Sequence, residues 1–195
     1  ASKGYVIAKR FQTLLKRNAN STEYRFIRDL LDGKISLGDQ ALTDSPSSCR
    51  QLLGPNPNAT LRAMEDEFRA LSTEVVRLNQ QALDLGHHIL VFPQGTRSLR
   101  LTKGHIGIAQ MTQCLGIDVV PVACMGSEKA YPGNSPFARR GSIRYVVGKP
   151  LRVDGPELAE LRIEEKFIPF SRDAEAKFRS QFERITAIIM DHINR

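Results

Sequence analysis

Tryptophan is absent from the 195 residues, aromatic side chains make up 7%, and only four histidines occur. With so few stacking side chains and no interleaving of basic and aromatic residues, the chain is not built like a single-strand nucleic-acid binder, and a nucleic-acid reading would rest on its basic pI alone. The three cysteines, Cys49, Cys114 and Cys124, are an odd number without Cys-x-x-Cys spacing. They argue against a disulfide framework and a cysteine-built zinc site, and make a reducing compartment the default; no metal is expected. No run approaches the ~20 apolar residues that span a bilayer. Ala1-Ser2-Lys3-Gly4 leads into an apolar segment without the layout of a signal peptide. The chain also begins without methionine and almost inside a strand-like segment, so native sequence is expected upstream.

What is present describes a folded domain. Hydrophobic residues at 41% and charged residues at 25% match ordinary globular composition, and residues 1–195 are expected to form a single domain. Lys and Arg outnumber Asp and Glu by 28 to 21, a net charge of +7. The expected partner is therefore anionic: phosphate groups, an acidic membrane surface or nucleic acid.

Gly4 to Ala8 reads as a short buried strand, an apolar run with β-branched and aromatic residues closed by Lys9-Arg10. Ser21 is a candidate N-cap for a helix to about Asp32, with Tyr24, Ile27, Leu30 and Leu31 on one face and Gly33 as its stop. Residues 34–58 lose periodicity and collect prolines, and are expected to be a loop or mobile excursion. From 59 to 85, apolar residues from Leu61 to Leu85 recur at spacings of three and four, predicting one long amphipathic helix whose seam packs on a neighbouring element. His88 to Phe92 reads as a strand, Gly104 to Cys114 as a helix, Asp118 to Cys124 as a strand, Ser142 to Val147 as another, and Asp173 to Ile193 as a final helix. Strand, helix and strand in that order predict a βαβ unit. The fold class is then α/β, a mixed and mainly parallel sheet flanked by helices.

The chemistry concentrates in Phe92-Pro93-Gln94-Gly95-Thr96-Arg97-Ser98, expected at the C-terminal edge of a strand, where open α/β sheets bind ligands. Gly95 permits close backbone approach, Thr96 and Ser98 offer hydroxyls, and Arg97 offers a planar fork matched to phosphate oxygens. Lys103, at the expected helix N-terminus, adds to the attraction for an anion. Together they describe a phosphate grip.

The string resembles the Phe-Pro-Glu-Gly-Thr-Arg-Ser signature of the glycerolipid acyltransferases, which include lysophosphatidic acid and glycerol-3-phosphate acyltransferases. Lys103-Gly104 with Ala109, and Val119-Val120-Pro121-Val122 with Gly126, are similar to the blocks that follow it in that family, and Gly4 to Arg10 is similar to its upstream glycine, apolar strand and arginine. The resemblance implies a glycerolipid-acyltransferase-like fold. The implied reaction moves an acyl group from a thioester, acyl-CoA or acyl carrier protein, to a hydroxyl of a glycerol-phosphate or lysophospholipid acceptor. No other cofactor is implied. Arg97 and Arg10 would hold the acceptor phosphate with help from Lys103, and Gln94, standing where the family has Glu, would alter acceptor positioning. A peripheral membrane location follows, on the cytoplasmic side or in an organelle interior, with an anionic membrane surface as partner and no nucleic acid.

The family's base, His followed five positions later by Asp, is not in this chain: those positions hold Phe92, Pro93 and Gln110 after His87, His88 and His105. The simplest expectation is that the block lies upstream of Gly4. A non-catalytic lipid- or phosphate-binding relative is the alternative, and His105 is the one candidate for a substitute base. The long 34–85 stretch has no family counterpart.

Overall fold

The computed structural model describes residues 3–38, 43–95, 100–131 and 137–194. The chain gathers into two compact units, residues 1–78 and 79–195, each with its own core.

The first unit is helical. Helix α1 spans Lys3–Leu15 and buries Val6, Ile7 and Phe11 completely. The strand expected at Gly4 to Ala8 is therefore corrected to a helix. A short apolar run cannot distinguish the two periods, and Ile7 and Phe11, four apart, supply the helical face once the rest of the unit is there to receive it. Helix α2 (Ser21–Leu31) inserts Phe26, Ile27, Leu30 and Leu31 into the same core. Its N-cap is Asn20 rather than Ser21. The Asn20 side chain accepts from Thr22 N at 3.0 Å and Glu23 N at 2.9 Å, while the Glu23 carboxylate accepts from Asn20 N at 2.8 Å, closing a capping box.

Within 34–58, read as a loop, stands helix α3, Ser47–Leu53, with Cys49, Leu52 and Leu53 buried. Two turns between prolines are too short to show a period in the sequence, and burial against α1 and α2 holds them. Helix α4 runs from Pro57 to Asp84, close to the expected 59–85, with proline at its first position, where no backbone donor is needed. Its seam is buried at Met64 and Phe68, whereas Leu78 and Leu85 farther along are exposed.

In the second unit, α5 (Gly107–Leu115) packs on α7 (Arg172–Asn194), which fulfils the expected final helix and buries Phe182, Ile185 and Ile189 completely. Ala109, Leu151, Leu158 and Leu161 complete this core, and Phe167 stacks at its edge with centroids 5.8 and 5.4 Å from Phe178 and Phe182. Two buried glutamines tie loops to α5: Gln113 accepts from Ile163 N at 2.9 Å, and Gln110 accepts from Phe170 N.

Strands β1 (Val122–Met125) and β2 (Arg144–Val147) pair antiparallel, Val122 opposite Val147 and Met125 opposite Arg144, with the short helix α6 (Ser127–Ala130) between them. The pairing resumes at Val119 and Leu151, whose backbones exchange hydrogen bonds at 2.9 and 2.8 Å. Pro121 has no N–H to give the ladder, which separates that bridge from β1 and shortens the strand expected at 118–124. Residues 88–92 form no strand, and Leu90 and Phe92 are 78% and 72% exposed. The parallel pairing of 88–92 with 118–124 is thus not formed, and among the described residues the sheet is the two-stranded ribbon.

Candidate functional site

The described ends of the 92–105 segment, residues 92–95 and 100–105, are pinched together. Gly95 N donates to Phe92 O at 2.9 Å, turning the chain, and His105 N donates to Pro93 O at 2.8 Å, bringing the two ends together. Gln94 clasps the interior: its Nε2 donates to Thr102 Oγ1 at 2.6 Å and to the Arg100 carbonyl at 3.4 Å. Gly95 has φ +70°, and the His105 imidazole lies beside it, two ring atoms 3.5 and 3.6 Å from where a Cβ would stand. Gln94, Gly95 and His105 are brought together; Thr96, Arg97 and Ser98 lie outside the described residues.

The returning arm is fixed to α7. Gly104 is buried, and a Cβ there would meet Met190 Sδ at 2.9 Å and Thr186 Cγ2 at 3.0 Å, so only glycine lets the loop approach the helix this closely. Lys103 reaches out to Glu183 at 3.5 Å, and Arg179 shares the same carboxylate at 3.3 Å. Lys103 is 78% exposed, so the pair is screened and contributes about 0–1 kcal/mol, leaving the ammonium able to exchange partners. The helix starts at Gly107, not Gly104. Lys103 therefore precedes it by four residues, and the expected position at the helix N-terminus is corrected.

Arg10 belongs to the first unit, on the helix that replaces the expected strand, and its Nε lies 3.8 Å from Glu67 Oε2. Glu67 also accepts from Lys9. This corrects the strand-end setting in which Arg10 resembled the family's upstream arginine.

Sequence reading missed Thr102, Glu183, Thr186 and Met190. Thr102 could have been suspected from its place in a loop that Gln94 must close; the α7 residues are 80 or more positions from Lys103 and Gly104, which they meet, and left no local signal. Gln94 is the informative departure from the family pattern, because a carboxylate at this position could not donate to the Arg100 carbonyl. Neither the family models, the curated proteins nor the solved structures contain a match to this chain.

Proposed function

We propose that the 92–105 loop is the acceptor grip of an acyltransferase of the glycerolipid type. It would move an acyl group from acyl-CoA or an acyl carrier protein thioester to a hydroxyl of a glycerol-phosphate or lysophospholipid. In that reaction the acceptor oxygen bonds to the acyl carbon, the carbon–sulfur bond breaks, and the thiol leaves carrying the proton. The observation that carries the reading is the string Phe92 to Ser98 with Lys103-Gly104 behind it, on a loop whose ends meet at 2.8 Å. Arg97 is the phosphate fork, Lys103 the second cation, and Thr96 and Ser98 the neutral donors. Gln94 serves as the clasp that shapes the loop, which explains how an amide can stand in place of the family's acid.

A mainly parallel α/β sheet is part of this reading, and the exposed apolar segment ending at Val91 and Phe92 is the strand it would recruit. Peripheral attachment to an anionic membrane also belongs to it. No helix among the described residues is long and apolar enough to cross a bilayer.

The lack of a His-x-x-x-x-Asp block in these residues favours one second reading, acceptor binding without turnover. Loss of a general base removes a factor of about 10²–10⁴. Acyl transfer by the chain, offered acyl-CoA and acyl carrier protein thioesters with glycerol-3-phosphate or lysophosphatidate, separates the two. Turnover abolished by Arg97→Ala supports the enzyme, with His105→Ala then testing the base. Arg97-dependent acceptor binding without turnover supports the second reading. Neither turnover nor Arg97-dependent binding overturns both.

A further inference from the structure

The tip of the β1–β2 ribbon carries positive charge that no acidic side chain in the described residues answers. Lys129, Arg139, Arg140 and Arg144 are all exposed, and none takes part in an ion pair there. From Gly126 to Val147 these four cations stand against Glu128 alone, a net charge of +3. Backbone contacts gather them. Arg139 N donates to the Ala130 carbonyl at 2.7 Å, next to Lys129, and Gly141 lies where a Cβ would be 3.4 Å from Ala130 N. Gly126 abuts the Ser142 carbonyl, leaving no room for a Cβ, and Met125 pairs with Arg144.

Large apolar side chains share this ribbon. Phe137, two positions before Arg139, is 79% exposed. Alternation along the paired strands puts Tyr145 with Cys124 and Val147 with Val122 on one face, where Tyr145 and Val147 are 65% and 66% exposed. Cations beside an exposed aromatic and an aliphatic face match the boundary of an anionic bilayer. Arginine forks meet lipid phosphates there, the aromatic ring sits at headgroup level, and aliphatic groups leave water. A nucleic acid would satisfy the arginines and leave the valines nothing to gain.

We infer that the ribbon tip docks on an anionic membrane surface, with Phe137 entering the headgroup boundary while Lys129, Arg139 and Arg140 pair with lipid phosphates; Arg144, opposite Met125, lies on the other face of the ribbon from Tyr145 and Val147. The docking stands on the ribbon's own residues and holds whether or not the 92–105 loop transfers acyl groups.

The test is co-sedimentation of the full chain with vesicles of phosphatidylcholine alone or mixed with phosphatidylserine, with single-stranded DNA as the competing polyanion. The expected result is binding that requires phosphatidylserine. At about 1 kcal/mol per basic residue, the double variant Arg139→Gln/Arg140→Gln should bind about 25-fold more weakly. Phe137→Ser should cost about tenfold without changing net charge. The double variant Arg62→Gln/Arg69→Gln, which removes the same charge from exposed positions on α4, should stay within twofold; circular dichroism and melting temperature check that each variant is folded. Equal loss from both double variants overturns the docking, because net charge alone would then explain it. Wild-type binding by Phe137→Ser overturns it too, as does retention of DNA in the absence of vesicle binding.

Discussion

Gln94 and Thr102 clasp the signature loop from within, the amide Nε2 donating to the hydroxyl oxygen at 2.6 Å and also facing the Arg100 carbonyl. In Gln94→Glu the threonine hydroxyl can donate to the new carboxylate, but the bond to the carbonyl is lost. A net hydrogen bond of this kind contributes about 0.5–1.5 kcal/mol. The His105 amide, which closes the loop on Pro93, should exchange its hydrogen several-fold faster in the variant while the melting temperature barely moves. An unchanged exchange rate would show that the clasp does not hold the loop.

Glu23 is the keystone of the first unit. It is 2% exposed, accepts two hydrogen bonds from the Arg17 guanidinium and one from the Ser48 hydroxyl, and closes the capping box with Asn20. The Arg17 hydrogen bonds, aided by Ser48 and the Asn20 amide and opposed by burial, lower its pKa from 4.5 to about 2. Because the folded value is depressed, its stabilisation is fully present above about pH 4.5 and is lost as the pH falls towards about 2. Glu23→Gln should lower the unfolding free energy by about 1.5–3 kcal/mol at neutral pH. Denaturant titrations of both proteins should converge between pH 4.5 and 2; a gap that stayed constant with pH would remove the charge from the explanation.

Gly104→Ala places a methyl group against Met190 and Thr186. Met190 can swing aside, whereas the branched Thr186 is confined by its helix, so an overpacking cost of about 1–3 kcal/mol is expected. The cost should shrink in a Met190→Ala background, and strict additivity in the double-mutant cycle would argue against direct contact.

The cysteines should alkylate in the order of their exposure. Cys124 is exposed on β1, Cys114 is half-buried, and Cys49 is fully buried with its thiol pushed up to about 11, chiefly by desolvation and further by nearby Glu23. Mass spectrometry after brief iodoacetamide treatment at pH 8 should find Cys124 modified and Cys49 intact. Early modification of Cys49 would mean that the first unit opens readily.

The sequence displayed helices wherever a period ran long enough. Phe178, Phe182, Ile185 and Ile189 announce α7, and the seam from Leu61 announces α4. It misled where tertiary burial chose the structure: Val6 and Ile7 look like strand residues until Phe11 joins them on one helical face, and α3 is too short to register. At the site, the residues able to hold a phosphate were legible as a string. The parts that shape the loop were not, since Gln94 read as a group facing the acceptor and the loop's attachment depends on Glu183, Thr186 and Met190, which meet it only after the chain folds back.

The β1–β2 ribbon has a further consequence, for self-association. A sheet of two strands is all edge, and the outer backbone of each strand is a template on which a second copy could zip. The arginines at and near β2 make side-by-side pairing of two identical ribbons repulsive. The charge at the tip thus also keeps copies apart in water, and light scattering should detect clustering first in the variant that has lost Arg139 and Arg140.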